Sequence, residues 1–418
     1  MKKTILLLVL LVGFWNCSSE KTTDATAPKQ IILTQLESNK DIFIAGEPIV
    51  LRTIVKEPIA VQEYPMLIIT NAFGTLSLSP EVDGQKVNYI FPEAIIKRVG
   101  LCHWKLIANR QLEQEGILTI KPNISKTNEL ESYFGPRSIS AGDIDFSMLV
   151  TVPIDFYDNP AEDNTNVHIR YNFEEDLTTL NIPTKNFIAW KNIPATHKSG
   201  RILVAAYSNG TNSKELTTMV FPSNAQDFRI SYTRDHDFAD GNQIISFNTS
   251  ILKDEFGNIV SDGTLVSFQI INPQGVHLTA IGLTIGGIAI AKMLHPDHET
   301  DWQVRAYVTG AAKSDQVKVA FKAAVKDYEV TFSNGNRAVV VGPLTSFMGQ
   351  LAPDGLLVRL AIYSNNHQII DTKVSTLQKG MAQFYLDEDF YKNDAYELEI
   401  KAAGVIKKYN LELHGETH

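Results

Sequence analysis

The sequence predicts an all-β chain built as a series of small two-layer sandwich units. Three observations carry that prediction. Short apolar-alternating runs are separated by clusters of Gly, Pro, Asn and Asp; no capped stretch keeps a helical period over three turns; and the sequence repeats itself internally. Of its 418 residues, 44% are hydrophobic and 20% charged, the balance of a folded rather than a disordered chain. A net charge of −9, from 47 acids and 38 bases, argues against nucleic acid or an anionic membrane surface as the main partner. Two cysteines leave no room for a disulfide scaffold or a Cys-rich zinc module.

At the N-terminus, Lys2 and Lys3 precede an apolar stretch over residues 5–12. A bilayer span takes roughly 20 residues, so this stretch suits export rather than anchoring. Cys17 follows closely, then Ser18 and Ser19. The arrangement resembles a bacterial lipoprotein signal of the looser Bacteroidota kind, with Phe14, Trp15 and Asn16 where a Leu and small residues are usual. That resemblance implies that residues 1–16 are a cleaved signal peptide and that Cys17 carries a covalent lipid. No Asp follows Cys17, which implies the outer membrane, with the chain facing either the cell surface or the periplasm. The polar residues 17–30 read as a flexible tether. Cys102, two residues before Trp104 in an expected strand, is then alone and reads as a small buried apolar residue.

Strands are expected at 42–44, 49–55, 66–70, 167–171, 202–207, 265–271, 304–308, 356–363 and 396–400. The repeat is clearest between Asp155, Asn159, Asp163, Thr165, Val167 and Asp254, Asn258, Asp262, Thr264, Val266, five identities at a constant offset of 99. Gly142 and Gly241 share that offset, whereas Val204, Ala206 and Tyr207 meet Val304, Ala306 and Tyr307 at an offset of 100. Pro353-Asp354-Gly355 echoes the end of the motif, and a late strand recurs around Trp104, Ile202, Trp302 and Tyr396. Four units result, at 31–122, 123–222, 223–325 and 326–414. Each has the length and strand number of an immunoglobulin-like sandwich. Within the motif, Asp254 to Gly257 ends one strand, Asn258 is expected in the left-handed conformation, and Asp262-Gly263 makes the next tight turn.

The segment Lys253-Asp254-Glu255-Phe256-Gly257-Asn258-Ile259-Val260-Ser261-Asp262-Gly263-Thr264-Leu265-Val266-Ser267-Phe268 resembles the bacterial Ig-like domains of the invasin/intimin type. In the second unit Asp158 and Asn164 replace the two glycines, residue types that also tolerate turns. The resemblance implies tandem stalks at a bacterial surface, often presenting an adhesive tip, with motif residues that are architectural and no active site.

Signatures of nucleophilic, zinc-protease or nucleotide chemistry are absent. The glycines at 282, 286 and 287 sit in an apolar run and read as bulged or close-packed strands. His295, Asp297, His298 and Glu299 are the candidate ligands for Zn²⁺ or Ca²⁺. A second acidic group, Asp235-His236-Asp237 with Asp240, opens the third unit and is a candidate for a Ca²⁺ joint. Trp190 is expected in the core. Candidate contact residues lie in the last unit: Phe384, Tyr385, Phe390 and Tyr391. The expected function is a non-enzymatic, lipid-anchored adhesion or interaction scaffold that meets another surface protein or a polysaccharide. The alternative is a glycan-binding accessory lipoprotein of a polysaccharide-uptake system, using exposed aromatics of the last unit, Tyr363 among them.

Overall fold

The computed structural model describes residues 31–57, 59, 64–126 and 129–415. The expected signal peptide, Cys17 and the expected tether lie outside the described residues. The only helical segments among those described are one turn at Glu93–Ile96 and a 3-10 turn at Ile124–Lys126. All other regular structure is β, and the strands fall into four groups that pair only among themselves.

Each group is a two-layer sandwich. In the first, Val50–Ile54, Lys86–Ile90 and Glu81–Asp83 form one sheet. The facing five-stranded sheet is centred on Gly100–Ala108, which pairs with Met66–Asn71 and Gln111–Lys121. The second unit repeats this with Glu129–Gly135, Phe146–Ile154 and Ala189–Pro194 facing a sheet centred on Asn166–Phe173 and Gly200–Ser208. In the third, His277–Ile285 pairs with Leu265–Ile271 along most of its length and with Ile288–Leu294 at its end, so it joins both layers into one eight-stranded path. The fourth packs Val330–Ser333, Ala338–Val341 and Ala382–Tyr385 against Leu357–Ser364, Ile369–Thr376, Ala395–Ala402 and Val405–Glu412. The chain is therefore an all-β series of four immunoglobulin-like sandwiches.

The strands form because their apolar residues alternate, so one face of each enters a core. In Leu265–Ile271, Val266, Phe268 and Ile270 are fully buried while Leu265, Gln269 and Ile271 face out. Phe247 stacks on Phe268 across the two layers at 5.9 Å, and Trp302 meets Phe321 edge-on at 4.7 Å. Each unit has its own cluster of buried side chains. The recurrent late strand is the central strand each time: Gly100–Ala108, Gly200–Ser208, Thr300–Val308 and Ala395–Ala402. Cys102 is 1% exposed, and desolvation pushes its thiol up to about 11, so it is inert packing.

The glycine run resolves into two devices. Gly286 and Gly287, at φ 58° and 79°, turn the hairpin between Ile285 and Ile288. Gly282 lies against the backbone of Ile290, where a Cβ would stand 2.5 Å from the carbonyl oxygen. Backbone cannot yield as a side-chain tip can. Gly282→Ala is accordingly expected to destabilise the third unit by about 1–3 kcal/mol, read as a lowered calorimetric transition for that unit, with the other units unmoved.

Candidate functional site

The repeated motif is built as a joint between units. Its first half is a five-residue loop closed by a backbone hydrogen bond, Asp155 N–H to Asn159 O at 2.8 Å and Asp254 N–H to Asn258 O at 2.9 Å. The carboxylates are buried, at 2% and 4% exposure. Asp155 Oδ1 accepts from the N–H groups of Tyr157 and Asn159, and Oδ2 from the linker residue Asn123. Asp254 repeats the set with Phe256, Asn258 and Ser223. A buried charge persists only when its lone pairs are filled, and here each carboxylate organises its own loop to fill them. Burial opposes ionisation of Asp254, yet the hydrogen bonds from Asn258, Ser223 and Phe256 together hold its carboxyl below the ordinary 3.8.

The asparagines reach across the joint. Asn159 Nδ2 donates to Lys97 O at 2.8 Å, and Asn159 Oδ1 accepts from Val99 N–H at 3.2 Å, both in the first unit. Asn258 does the same to His197 O at 2.7 Å and Ser199 N–H at 2.9 Å in the second. A ring fills the space beside each lock. Tyr157 packs on the first unit's core beside Gly46, where a Cβ would collide with its ring. Phe256 packs on the second unit's core beside Gly142 and stacks on His197 at 4.5 Å. The receiving loops are themselves fixed by a glycine N–H: Gly46 to Ile96 O, Gly142 to Thr196 O and Gly241 to Pro296 O.

The left-handed residue in this loop is not the asparagine. Positive φ falls one position earlier, at Asp158 (62°) and Gly257 (86°), because the asparagine amide must project toward the neighbouring unit. The second half of the motif is internal to its unit. Asn164, Gly263 and Gly355 carry positive φ, and Asp163, Asp262 and Asp354 accept from the N–H of Phe187, Gly286 and Lys379.

At the third joint the loop keeps its backbone, with Ser346 N–H to Gln350 O at 2.7 Å, but Ser346 and Gln350 replace the Asp and Asn. The contact there is aromatic instead. Phe347 of the fourth unit stacks on Phe238 of the third at 3.4 Å and 12° and meets the His236 ring edge-on at 5.8 Å.

Of the candidate ligands, His295 turns inward and is 3% exposed, while Asp297 and His298 pair with each other at the surface at 2.6 Å and Glu299 faces out. Strand-end alternation and Pro296 send neighbours in sequence to opposite sides, so these four do not converge. The groups that do approach His295 are His236 and Asp240, from the other acidic segment. Desolvation lowers the His295 pKa, and its Nδ1 lies 2.9 Å from Phe238 O.

Two of the four tip aromatics are core residues: Phe384 is 7% and Tyr391 3% exposed, because each lies on the inward side of its segment. Tyr385 and Phe390 face out, Phe390 at 81%. The loop bearing Phe390 is held by fully buried Arg337, which donates to Leu386 O, Tyr391 O, His414 O and Asn393 Oδ1. Trp190, expected in the core, is 51% exposed: on Ala189–Pro194 it is the inward face of Ala189 and Ile193 that meets the core.

No family model and no curated protein matches this chain. Among solved structures it is similar to FdeC, an Escherichia coli adhesin, at 14% identity over 69% of this chain and 99% of that one, with a TM-score of 0.48. It is similar to invasin, a bacterial integrin-binding protein, at 12% identity over 91% and 79% of the two chains, with a TM-score of 0.42. A likeness to the FN1–FN3 domains of chicken CNTN1 has 8% identity, 70% and 97% coverage and a TM-score of 0.28. Among the described residues no helix is long and apolar enough to cross a membrane.

The lowered pKa of Asp254 fixes a pH dependence. A carboxylate whose folded pKa is depressed contributes stability above its unfolded value, and that contribution is lost as pH falls through the folded one. The second joint is expected to weaken on acidification below about pH 4. Asp254→Asn should cost about 1–3 kcal/mol at pH 7 and remove that acid dependence, checked by calorimetry across pH.

Proposed function

We propose that this chain is a non-enzymatic outer-membrane lipoprotein, anchored by a lipid on Cys17, that serves as an adhesion or interaction scaffold. One observation carries the reading: the same hydrogen-bonded lock is built twice, at successive joints, from buried carboxylates and asparagines that serve no reacting group. Such joints hold neighbouring sandwiches in a fixed relation, which is the requirement of a scaffold. The last unit supports a contact role, because Arg337 fixes a loop that leaves Phe390 in solvent, and a large apolar ring on a rigid support is a favourable interface anchor. The partner is another surface protein.

A glycan is the second reading, favoured by the exposed Trp190, whose ring is available for stacking on a sugar. The lipid-anchor claim is tested by metabolic labelling with an alkyne fatty acid: wild type takes the label and Cys17→Ala does not. Partner choice is tested on the full chain. Crosslinking mass spectrometry on cells should place protein crosslinks on the last unit and lose them in Phe390→Ala, with thermal stability unchanged. Glycan-array binding that is abolished by Trp190→Ala, with no crosslinked protein, would replace the first reading with the second.

A further inference from the structure

We propose that the third unit pairs with a second copy of this chain through an exposed aliphatic face, as an antiparallel two-fold dimer. The face lies where His277–Ile285 passes from one layer of the sandwich to the other. Leu265 and Leu283 are cross-strand partners there, and so are Ile285 and Ile288. Ile281 and Ile290 stand two residues from Leu283 and Ile288, so alternation puts them on the same outward side. Gly282 lies against the Ile290 backbone, which makes the two strands neighbours at that level. Exposed at 37% to 79%, these six residues present roughly 600–700 Å² of aliphatic surface. That exceeds the largest patch a monomer usually leaves open, about 300–600 Å², and approaches the roughly 800 Å² per copy of a stable interface.

The fold does not require these side chains, because the second unit builds the same strands without them. Asn166 pairs with Pro183 there as Leu265 pairs with Leu283, and His168 pairs with Asn181 as Ser267 pairs with Ile281. Lys185 meets Ile188 as Ile285 meets Ile288. The inward positions are alike in the two units: Val167 and Val266, Thr184 and Thr284, Ala189 and Ala289 are all buried. Only the outward positions differ, with Asn166, Asn181 and Lys185 answered by Leu265, Ile281 and Ile285. Aliphatic side chains that the core does not use, gathered on one exposed face, call for a partner.

The composition selects that partner. A membrane surface favours Trp or Tyr with Lys or Arg, and contacts with an unrelated protein favour aromatic anchors; the six residues include none of these. An aliphatic face with no charge in its middle resembles a core cut in two, the character of homodimer contacts. Its ends complete the self-match. Asp262 accepts from Gly286 N–H at 2.7 Å at the hairpin tip, and exposed Lys292, two residues past Ile290, marks the opposite end. A two-fold axis through the face brings Asp262 of one copy to Lys292 of the other, twice, whereas a parallel pairing sets like charge against like. On the scaffold reading above, chains paired in opposite senses belong on facing surfaces; the dimer itself does not rest on that reading, and its test is made in solution.

The test is analytical ultracentrifugation of the untagged chain from Ser18 onward, across the micromolar range. A concentration-dependent monomer–dimer equilibrium is expected. Ile281→Asn and Ile285→Lys, which place there the residue types the second unit carries, should each weaken the dimer by about tenfold or more. Ile369→Asn, at an exposed position of the fourth unit, should leave it unchanged. Lys292→Glu should weaken it severalfold, more at low salt than at high, by setting a second carboxylate against Asp262 of the other copy. A wild type that stays monomeric overturns the proposal. So does affinity undiminished in whichever of Ile281→Asn and Ile285→Lys retains the wild-type circular dichroism, or a dimer lost in Ile369→Asn. Affinity unchanged in Lys292→Glu overturns the antiparallel pairing.

Discussion

The architecture depends on a carboxylate buried in a loop at the start of a sandwich. Once Asp155 or Asp254 is out of water, its oxygens must be filled, and the nearest donors are the N–H groups of its own loop and of the incoming linker. Filling them fixes the loop, ties the linker to it and aims the following asparagine at the preceding unit. The asparagine then supplies one donor and one acceptor to a backbone carbonyl and N–H across the joint. Burial of one charge thus sets both a turn inside a unit and the seat of that unit on its neighbour.

The flanking ring adds the apolar part of the contact. Tyr157 closes over Gly46, where a side chain would occupy the ring's place, and Phe256 lies in van der Waals contact with Gly142. Surface ion pairs contribute little by comparison. Lys121 and Glu162 meet across the first joint at 3.0 Å, but both are roughly two-fifths exposed and solvent screens them. The third joint follows a different plan: the turn survives with Ser346 and Gln350, and a Phe238–Phe347 stack above a pair of histidines replaces the amide lock.

The four-sandwich organisation was legible because its determinants are local. Tight turns admit few residue types, so Asp262-Gly263-Thr264 and its relatives Asp163-Asn164-Thr165 and Asp354-Gly355 mark the same bend, and alternation marks the strand that follows. The lock itself was not legible. Its partners on the receiving side are backbone atoms of Lys97, Val99, His197 and Ser199, which leave no signature in residue identity. A spacing of 99 between two buried Asp-x-x-x-Asn segments was visible, but it reads equally as a turn. His236 and His295 belong to separate clusters in the sequence, and only strand pairing brings them together. Proximity in sequence misled at His295, Asp297, His298 and Glu299, where the chain alternates sides, and at the tip, where Phe384 and Tyr391 were drawn into the core.

The central claim, that the asparagine lock fixes one sandwich against the next, is tested most directly by a distance measurement across the second joint. Spin labels at Glu175→Cys and Lys318→Cys, both exposed, report the separation of the second and third units by pulsed electron paramagnetic resonance. The chain begins at Ser18 for this purpose, and Cys102 is buried and takes no label. A single narrow distance distribution is expected, broadening in Asn258→Ala while each sandwich keeps its fold. A broad distribution in the intact chain, or one left unchanged by the substitution, would contradict the account.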